Sequence, residues 1–334
     1  MDRPTVLIAD ELSPATLEAL GPDFDVRYCT GSDRAELLAA LPDAQAVLIR
    51  SATRMDAEAI AAGRRLKVIG RAGAGLDNVD VTAAAGAGVS VVNAPDANTV
   101  SAAELTVGLI LSVARHIPSG NASLRAGRWE RSRFAGAELA GKALGIVGLG
   151  RVGTLVARRM AAFEMRLLAY DPQVPPEQAE RAGVRLASLE EVLEEADFLT
   201  IHLPGTPETA GLIGFDALSR MKPGARLINV SRGSIVDESE LYAALKEGRL
   251  AGAGIDVFAT EPCTDSPLFE LDTVVATPHL GASTSEAQER AGLTVAASVR
   301  RALVGDPLPE ESGSPGSAVD TQGRPPAGAA GSTY

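Results

Sequence analysis

Cysteine and histidine are scarce in this chain, and neither is clustered. Only Cys29 and Cys263 occur among 334 residues, 234 positions apart. That separation excludes the dense pairing of a disulfide scaffold and the close ligand spacing of a zinc site, and it predicts a reducing compartment with no bound metal. Also missing are a charged leader with an apolar stretch and cleavage site behind Met1, and any uncharged apolar run near the ~18 residues of a membrane span. The expectation is a cytoplasmic protein with no membrane partner. Basic charge is in deficit: the formal net charge is −12 and the pI about 4.9. Such a field repels a nucleic-acid backbone, which excludes that class of partner. It also repels small anions, so a site for one must concentrate arginines locally.

With 334 residues and 46% hydrophobic composition, the chain is long enough for two cored domains. Strand-like runs at Thr5 to Ala9, Ala46 to Ile49, Leu66 to Ile69 and Val89 to Val92 alternate with Ala/Leu/Glu-rich stretches of helical period. This alternation predicts a parallel sheet. Near Asn98 the pattern changes. Ser101 and Glu104 stand in capping-box spacing, and apolar residues continue to Pro118, which predicts one long connecting helix. Beyond it lie six more strand-like runs, at Leu144 to Val147, Arg166 to Tyr170, Phe198 to His202, Arg226 to Val230, Gly254 to Val257 and Val274 to Thr277. Six strands suit a doubly wound nucleotide-binding sheet. Ser283 and Glu286 repeat the capping-box spacing ahead of a helix expected to end at Gly305 and Pro307 and to return to the first domain. The fold class is therefore α/β, with two Rossmann-like or flavodoxin-like βαβ domains: residues 1–97 plus 283–309, and residues 98–282. From Glu310 to Tyr334 the Gly/Pro/Ser/Ala-rich composition predicts a disordered tail.

The turn Gly148-Leu-Gly150-Arg-Val-Gly153 follows the strand Leu144 to Val147 and opens a helix with apolar residues at Val152, Leu155, Val156 and Met160. Its glycines suit a tight turn, close backbone approach to a pyrophosphate, and close packing of helix on sheet. The free amides and dipole of the helix N-terminus favour a phosphate there. Asp171 follows Gly150 by 21 positions, at the end of the next strand, where an acid takes the ribose hydroxyls and disfavours a 2′-phosphate. NAD is thus preferred over NADP, with Arg151 the one residue pulling the other way.

A histidine base must come from His116, His202 or His279. His116 sits at a helix end before Pro118, where a favourable charge at the helix C-terminus accounts for it. His202 ends a strand at the carboxyl edge of the sheet, and lining the cofactor and supporting the loop are equally good readings. His279 leaves the same edge in Pro278-His-Leu-Gly281, and there a functional reading is favoured. Arg232, just after the strand Arg226 to Val230, and Glu261, in the loop after Asp256, share that edge. Oxidation of a 2-hydroxy acid needs a base for the hydroxyl proton, a fork for the carboxylate and a group to orient the base. His279, Arg232 and Glu261 suit those roles in turn.

These motifs resemble the D-isomer-specific 2-hydroxyacid dehydrogenases over roughly residues 1 to 309. The stretches that carry the likeness include Leu48-Ile-Arg-Ser-Ala-Thr-Arg54, Gly70-Arg-Ala-Gly-Ala-Gly-Leu-Asp-Asn-Val-Asp80, Asn98-Thr-Val-Ser-Ala-Ala-Glu104 and Ala276-Thr-Pro-His-Leu-Gly-Ala-Ser-Thr284. Within the family the likeness is greatest to members acting on 3-phosphoglycerate. It implies NAD-dependent oxidation of 3-phospho-D-glycerate to 3-phosphooxypyruvate, the first step of L-serine biosynthesis, in a cleft between a discontinuous substrate-binding domain and an NAD-binding domain. Two alternatives stand beside it: reduction of hydroxypyruvate or glyoxylate, and a non-catalytic, co-repressor-like NAD-binding protein. The resemblance implies that Arg232, Glu261 and His279 are catalytic. It adds to the glycine loop, as cofactor contacts, Arg151, Val152, Asp171, His202, Pro204, Thr209, Val230, Ser231, Arg232, Asp256, His279 and Gly281. Substrate contacts are implied at Arg50, Ser51, Arg71, Ala74, Gly75 and Asn98 as well as Arg232 and His279, with Arg50 and Arg71 holding a phosphate. A homodimer through the cofactor domain is also implied. Longer members of the family continue into regulatory domains where this sequence carries the tail from Glu310, and a lack of serine feedback through such a domain is the expectation. One position departs from the family: Glu164 stands at a helix-to-strand turn usually given to glycine, where a left-handed backbone strains any other residue.

Overall fold

The structure is a computed structural model that describes residues 3–304. The tail expected from Glu310, and the helix stop expected at Gly305 and Pro307, lie outside those residues. The chain groups into two compact units, one holding the described residues up to Asn98 and from Thr284 onward, the other holding Thr99–Ser283.

The first unit is built on a five-stranded sheet of β1 (Thr5–Ile8), β2 (Asp25–Tyr28), β3 (Ala46–Ile49), β4 (Val68–Arg71) and β5 (Ser90–Val92), in the order β2-β1-β3-β4-β5. Every pairing is parallel. A parallel sheet needs cover on both faces, and the alternation along the strands supplies it. Leu7, Val47, Ile49 and Ile69 enter one core, while Val6, Ile8, Ala46, Leu48 and Val68 enter another on the opposite face. The helix Ser285–Val304 packs on the second of these faces through Ala291, Val295 and Val299. Gly70 makes that approach possible, since a Cβ there would lie 2.5 Å from a Val295 methyl.

The second unit adds β6 (Ala143–Val147), β7 (Arg166–Tyr170), β8 (Arg185–Leu186), β9 (Phe198–Ile201), β10 (Arg226–Asn229), β11 (Gly252–Ile255) and β12 (Val274–Ala276). Their order is β12-β11-β10-β9-β6-β7-β8, all parallel. The chain therefore starts in the middle of the sheet, winds outward to β8, and then crosses back to β9 on the other side of β6. That reversal is a topological switch point, where open sheets bind ligands outside their carboxyl ends.

Several local expectations need correction. Among the described residues there are seven strands in this sheet, not six, and five in the first, because β8 and β2 were not foreseen. The two-residue β8 is too short to show a period, and β2 is a half-exposed edge strand whose Asp25 and Arg27 break the apolar pattern. The long helix begins at Thr99, so Ser101 lies inside it, buried, and does not cap it. The helix also ends earlier, at Arg115; His116 adopts φ 51 and a separate helix runs Ile117–Arg125. At the last helix the cap is Thr284, whose hydroxyl accepts the Ala287 N–H at 3.1 Å, not Ser283. Glu164 does take a left-handed backbone, φ 58, and its carbonyl accepts the Gly141 N–H at 3.0 Å. No single helix among the described residues is long and apolar enough to cross a membrane.

Candidate active site

The loop after β6 shows why glycine occupies each of its three positions. Gly148 has φ 99, and a Cβ there would lie 2.8 Å from the His202 carbonyl group, across the switch point between β6 and β9. At Gly153 a Cβ would meet the Gly148 carbonyl oxygen at 2.2 Å, so the helix Arg151–Ala161 could not seat against the turn. A Cβ at Gly150 would meet nothing within 4 Å: this is the position open to an approaching group. Gly150 also caps the helix without any side-chain hydrogen bond, so the first amides keep no protein acceptor of that kind. An uncapped helix N-terminus facing open space fits a pyrophosphate. Asp171 is held beside it, one oxygen accepting the Leu149 N–H at 2.8 Å and the other the Gln173 N–H at 2.9 Å. Along the β9 loop, Thr209 Oγ1 donates to the Pro204 carbonyl at 2.7 Å and accepts the Thr206 N–H at 2.9 Å, closing the turn around Pro204.

Arg232, Glu261 and His279 leave the ends of β10, β11 and β12. Nδ1 of His279 lies 2.6 Å from Glu261 Oε2, and the other oxygen of Glu261 accepts the Phe258 N–H at 2.9 Å. The carboxylate is thus tied to backbone on one side and presents a fixed acceptor to the imidazole on the other. With Nδ1–H donating to Glu261, Nε2 is left as the basic nitrogen. His279 itself sits at φ 54. Asp256, fully buried, holds it in that left-handed conformation. Its backbone carbonyl accepts the His279 N–H at 2.9 Å. Its carboxylate accepts from Thr277 Oγ1, Leu280 N and Gly281 N at 2.6, 2.7 and 2.9 Å. Burial pushes the Asp256 carboxyl above the usual range, against the pull of those hydrogen bonds.

Arg232 is set by its neighbours. Asn229, buried, accepts the Ser231 N–H and hydroxyl on its Oδ1 and donates from Nδ2 to the Arg232 carbonyl at 2.9 Å. A Cβ at Gly233 would fall 1.9 Å from the Phe258 carbonyl carbon, so only glycine lets the Arg232 loop lie against the loop that carries Glu261. Gly205 likewise gives way to the Arg232 stem, at 2.9 Å. Val230 approaches Gly281, 3.3 Å from where its Cβ would be. Sequence reasoning missed Asn229. Its signal was an Asn two residues before a Ser in a strand-to-loop turn, a spacing that supports an Asx-type hydrogen bond.

His202 lies at the switch point, its Nε2 3.0 Å from the hydroxyl of buried Thr200. Burial lowers its pKa from 6.5 to about 3, so the ring is neutral at working pH and does not act as a charged group. Because the folded pKa lies below the unfolded one, stability is complete above pH 6.5 and is lost as pH falls from 6.5 toward 3. The loss is up to about 1.4 kcal/mol per pH unit before solvent screening. Urea titrations at pH 7.5 and 5 are expected to show a smaller pH penalty in His202→Gln than in wild type. Equal penalties would show that another group carries it.

In the first unit the remaining predicted residues also follow strand ends. Arg50 and Ser51 follow β3, Arg71 closes β4, Ala74 and Gly75 come next, and Asn98 lies beyond β5. Arg71 folds over its own loop: a Cβ at Gly73 would meet its guanidinium at 1.7 Å. Asn93 Nδ2 donates to the Ala74 carbonyl at 2.7 Å, and the Ala94 N–H to the Gly73 carbonyl at 2.9 Å, tying the 73–75 loop to the chain after β5. The two cysteines are both free. No cluster of three or more metal-ligating side chains occurs among the described residues.

The NAD-binding domain model of the D-isomer specific 2-hydroxyacid dehydrogenases matches residues 107–281, more than half of the chain. The chain belongs to that family. D-3-phosphoglycerate dehydrogenase of Mycobacterium tuberculosis (strain ATCC 25618 / H37Rv) is 56% identical over 310 residues, covering 93% of this chain and 59% of that protein. The chain thus spans about three-fifths of the length of the curated relatives it matches. Among solved structures, the TT0316 protein from Thermus thermophilus superposes with a TM-score of 0.84 at 36% identity, covering 91% of this chain and 98% of that one. D-lactate dehydrogenase from Aquifex aeolicus, complexed with NAD and lactic acid, gives 0.81 at 28% identity, with 90% and 96% covered. The matched model is that of an NAD-binding domain, and the glycine turn lies within the matched residues.

Proposed function

We propose that this dehydrogenase oxidises 3-phospho-D-glycerate to 3-phosphooxypyruvate with NAD. The observation that carries the reading is the His279–Glu261 pair, 2.6 Å apart, on the same carboxyl edge as Arg232 and the glycine turn. Bound NAD supplies the hydride acceptor. Nε2 of His279 takes the hydroxyl proton as the C2–H bond yields its electron pair and the C2 carbonyl forms. Glu261 holds the imidazole in the tautomer that leaves Nε2 basic and stabilises the imidazolium that results. The Arg232 fork grips the carboxylate. Asp171, with both oxygens already oriented by backbone amides, takes ribose hydroxyls and opposes a 2′-phosphate, which supports NAD over NADP.

The phosphate is assigned to Arg50 and Arg71 of the first unit, supported by the relatives at 56% identity, which are named D-3-phosphoglycerate dehydrogenase. In Arg50→Ala/Arg71→Ala, kcat/KM for 3-phosphoglycerate is expected to fall about 1000-fold, from two charge-assisted contacts of roughly 2 kcal/mol each. Turnover of an unphosphorylated 2-hydroxy acid is expected to change little. Equal losses on both substrates would place the arginines elsewhere, and turnover of hydroxypyruvate or glyoxylate in place of 3-phosphoglycerate would change the substrate while keeping the chemistry. Homodimerisation through the second unit is part of the same reading, supported by the exposed Ile117, Leu124 and Trp129, the last 77% exposed. A cytoplasmic setting is supported by the two free cysteines.

A further inference from the structure

The bend Arg50 to Thr53, which follows β3, is held from both sides by two side chains distant in sequence. On one side, Asp10 Oδ2 accepts the N–H groups of both Arg50 and Thr53, the second at 3.3 Å. On the other, Asn78 Nδ2 donates to the carbonyl oxygens of the same two residues, each at 2.6 Å. A primary amide nitrogen carries two hydrogens, so Asn78 commits both to this one bend. Asn78 is itself fixed, its carbonyl accepting the Met55 N–H at 2.9 Å beside the Met55–Val79 bridge. The bend is further pinned by Thr53, fully buried, whose hydroxyl donates to the Ala9 carbonyl at 3.3 Å.

We propose that Asn78 is a positioning residue for the anion-binding arginine, clamping with Asp10 the backbone from which Arg50 reaches the substrate. The inference rests on the role given to Arg50 above. The physical reason is leverage: a small rotation of the bend swings a long guanidinium at its end by more than an ångström, and misplacement of that size costs up to about a hundredfold. Asparagine alone suits the position. Aspartate, equal in size, would face two carbonyl oxygens with an acceptor, and alanine would leave both carbonyls without their donor.

The test measures kcat and KM for 3-phosphoglycerate, and NADH affinity by fluorescence, in wild type, Asn78→Ala, Asn78→Asp, Arg50→Ala and the Arg50→Ala/Asn78→Ala double variant. Amide hydrogen exchange of residues 49–54 is followed in wild type and the Asn78 variants. In Asn78→Ala, KM is expected to rise about 10- to 100-fold with kcat within about threefold, NADH affinity unchanged and exchange faster in that segment. Asn78→Asp should do no better than Asn78→Ala, whereas a space-filling role predicts that it rescues. In the Arg50→Ala background the Asn78 change should add less than about threefold. Rescue by Asn78→Asp, additivity in the double variant, or parallel loss of kcat and NADH binding would overturn the inference. A damaging Arg50→Ala with a silent Asn78→Ala overturns it alone, while a silent Arg50→Ala overturns the role of Arg50 and the inference with it.

Discussion

His279→Gln is expected to lower kcat by about a hundredfold to ten-thousandfold while leaving NADH affinity close to wild type. The side chain does little for the fold. It is half-exposed at 48%, contributes nothing to either core of its unit, and makes its ring contact with Glu261. Glutamine keeps a polar group of similar reach but has no basic nitrogen. Glu261→Gln retains a hydrogen-bond acceptor opposite Nδ1 but not the charge that stabilises the imidazolium, so its loss in kcat is expected to be real and smaller than that of His279→Gln. Stopped-flow measurement of NADH formation separates the chemical step from product release. A His279→Gln enzyme with more than about a tenth of wild-type turnover would remove the histidine from the proton-transfer role.

The second large effect is expected at Arg232. Arg232→Ala should reduce kcat/KM for the hydroxy acid by about two to three orders of magnitude, corresponding to roughly 3–4 kcal/mol from a paired set of charge-assisted hydrogen bonds. Arg232→Lys should recover only part of this, because a point charge cannot reproduce the planar fork. Asn229, Gly205 and Gly233 set the loop's path independently of the guanidinium. Folding and NADH binding should therefore survive both substitutions. A lysine variant as active as wild type, or an alanine variant unchanged in kcat/KM, would show that Arg232 does not grip the carboxylate.

The features legible in the sequence were those governed by local rules. The glycine turn could be read because each glycine answers a separate mechanical need over six residues, and the gaps around Gly148, Gly150 and Gly153 show those needs. Glu164 could be flagged because a helix-to-strand turn demands one backbone conformation. Capping boxes misled because the Ser-x-x-Glu spacing also arises inside helices, where Ser101 serves as a small buried residue. The clamp on Arg50 was invisible for a different reason. Asn78 carried no role in the sequence beyond its place in the stretch Gly70 to Asp80, and its partners lie 25 and 28 residues away, with Asp10 40 residues from Arg50. No spacing rule reaches that far; only the order β2-β1-β3-β4-β5 brings the ends of β1 and β3 and the loop after β4 to one edge. Likewise Asp256 entered the sequence reading only as an expected cofactor contact, whereas its four hydrogen bonds to residues 277–281 depend on β11 and β12 being neighbours.

The most direct measurement is NADH formation by the wild-type chain at alkaline pH with 3-phosphoglycerate, run beside D-glycerate and D-lactate and with His279→Gln as the blank. The account predicts turnover of the phosphorylated acid well above the other two, and turnover at least about a hundredfold lower in the variant. Measurable NAD binding without turnover of any of the three, or equal turnover by His279→Gln, would contradict it.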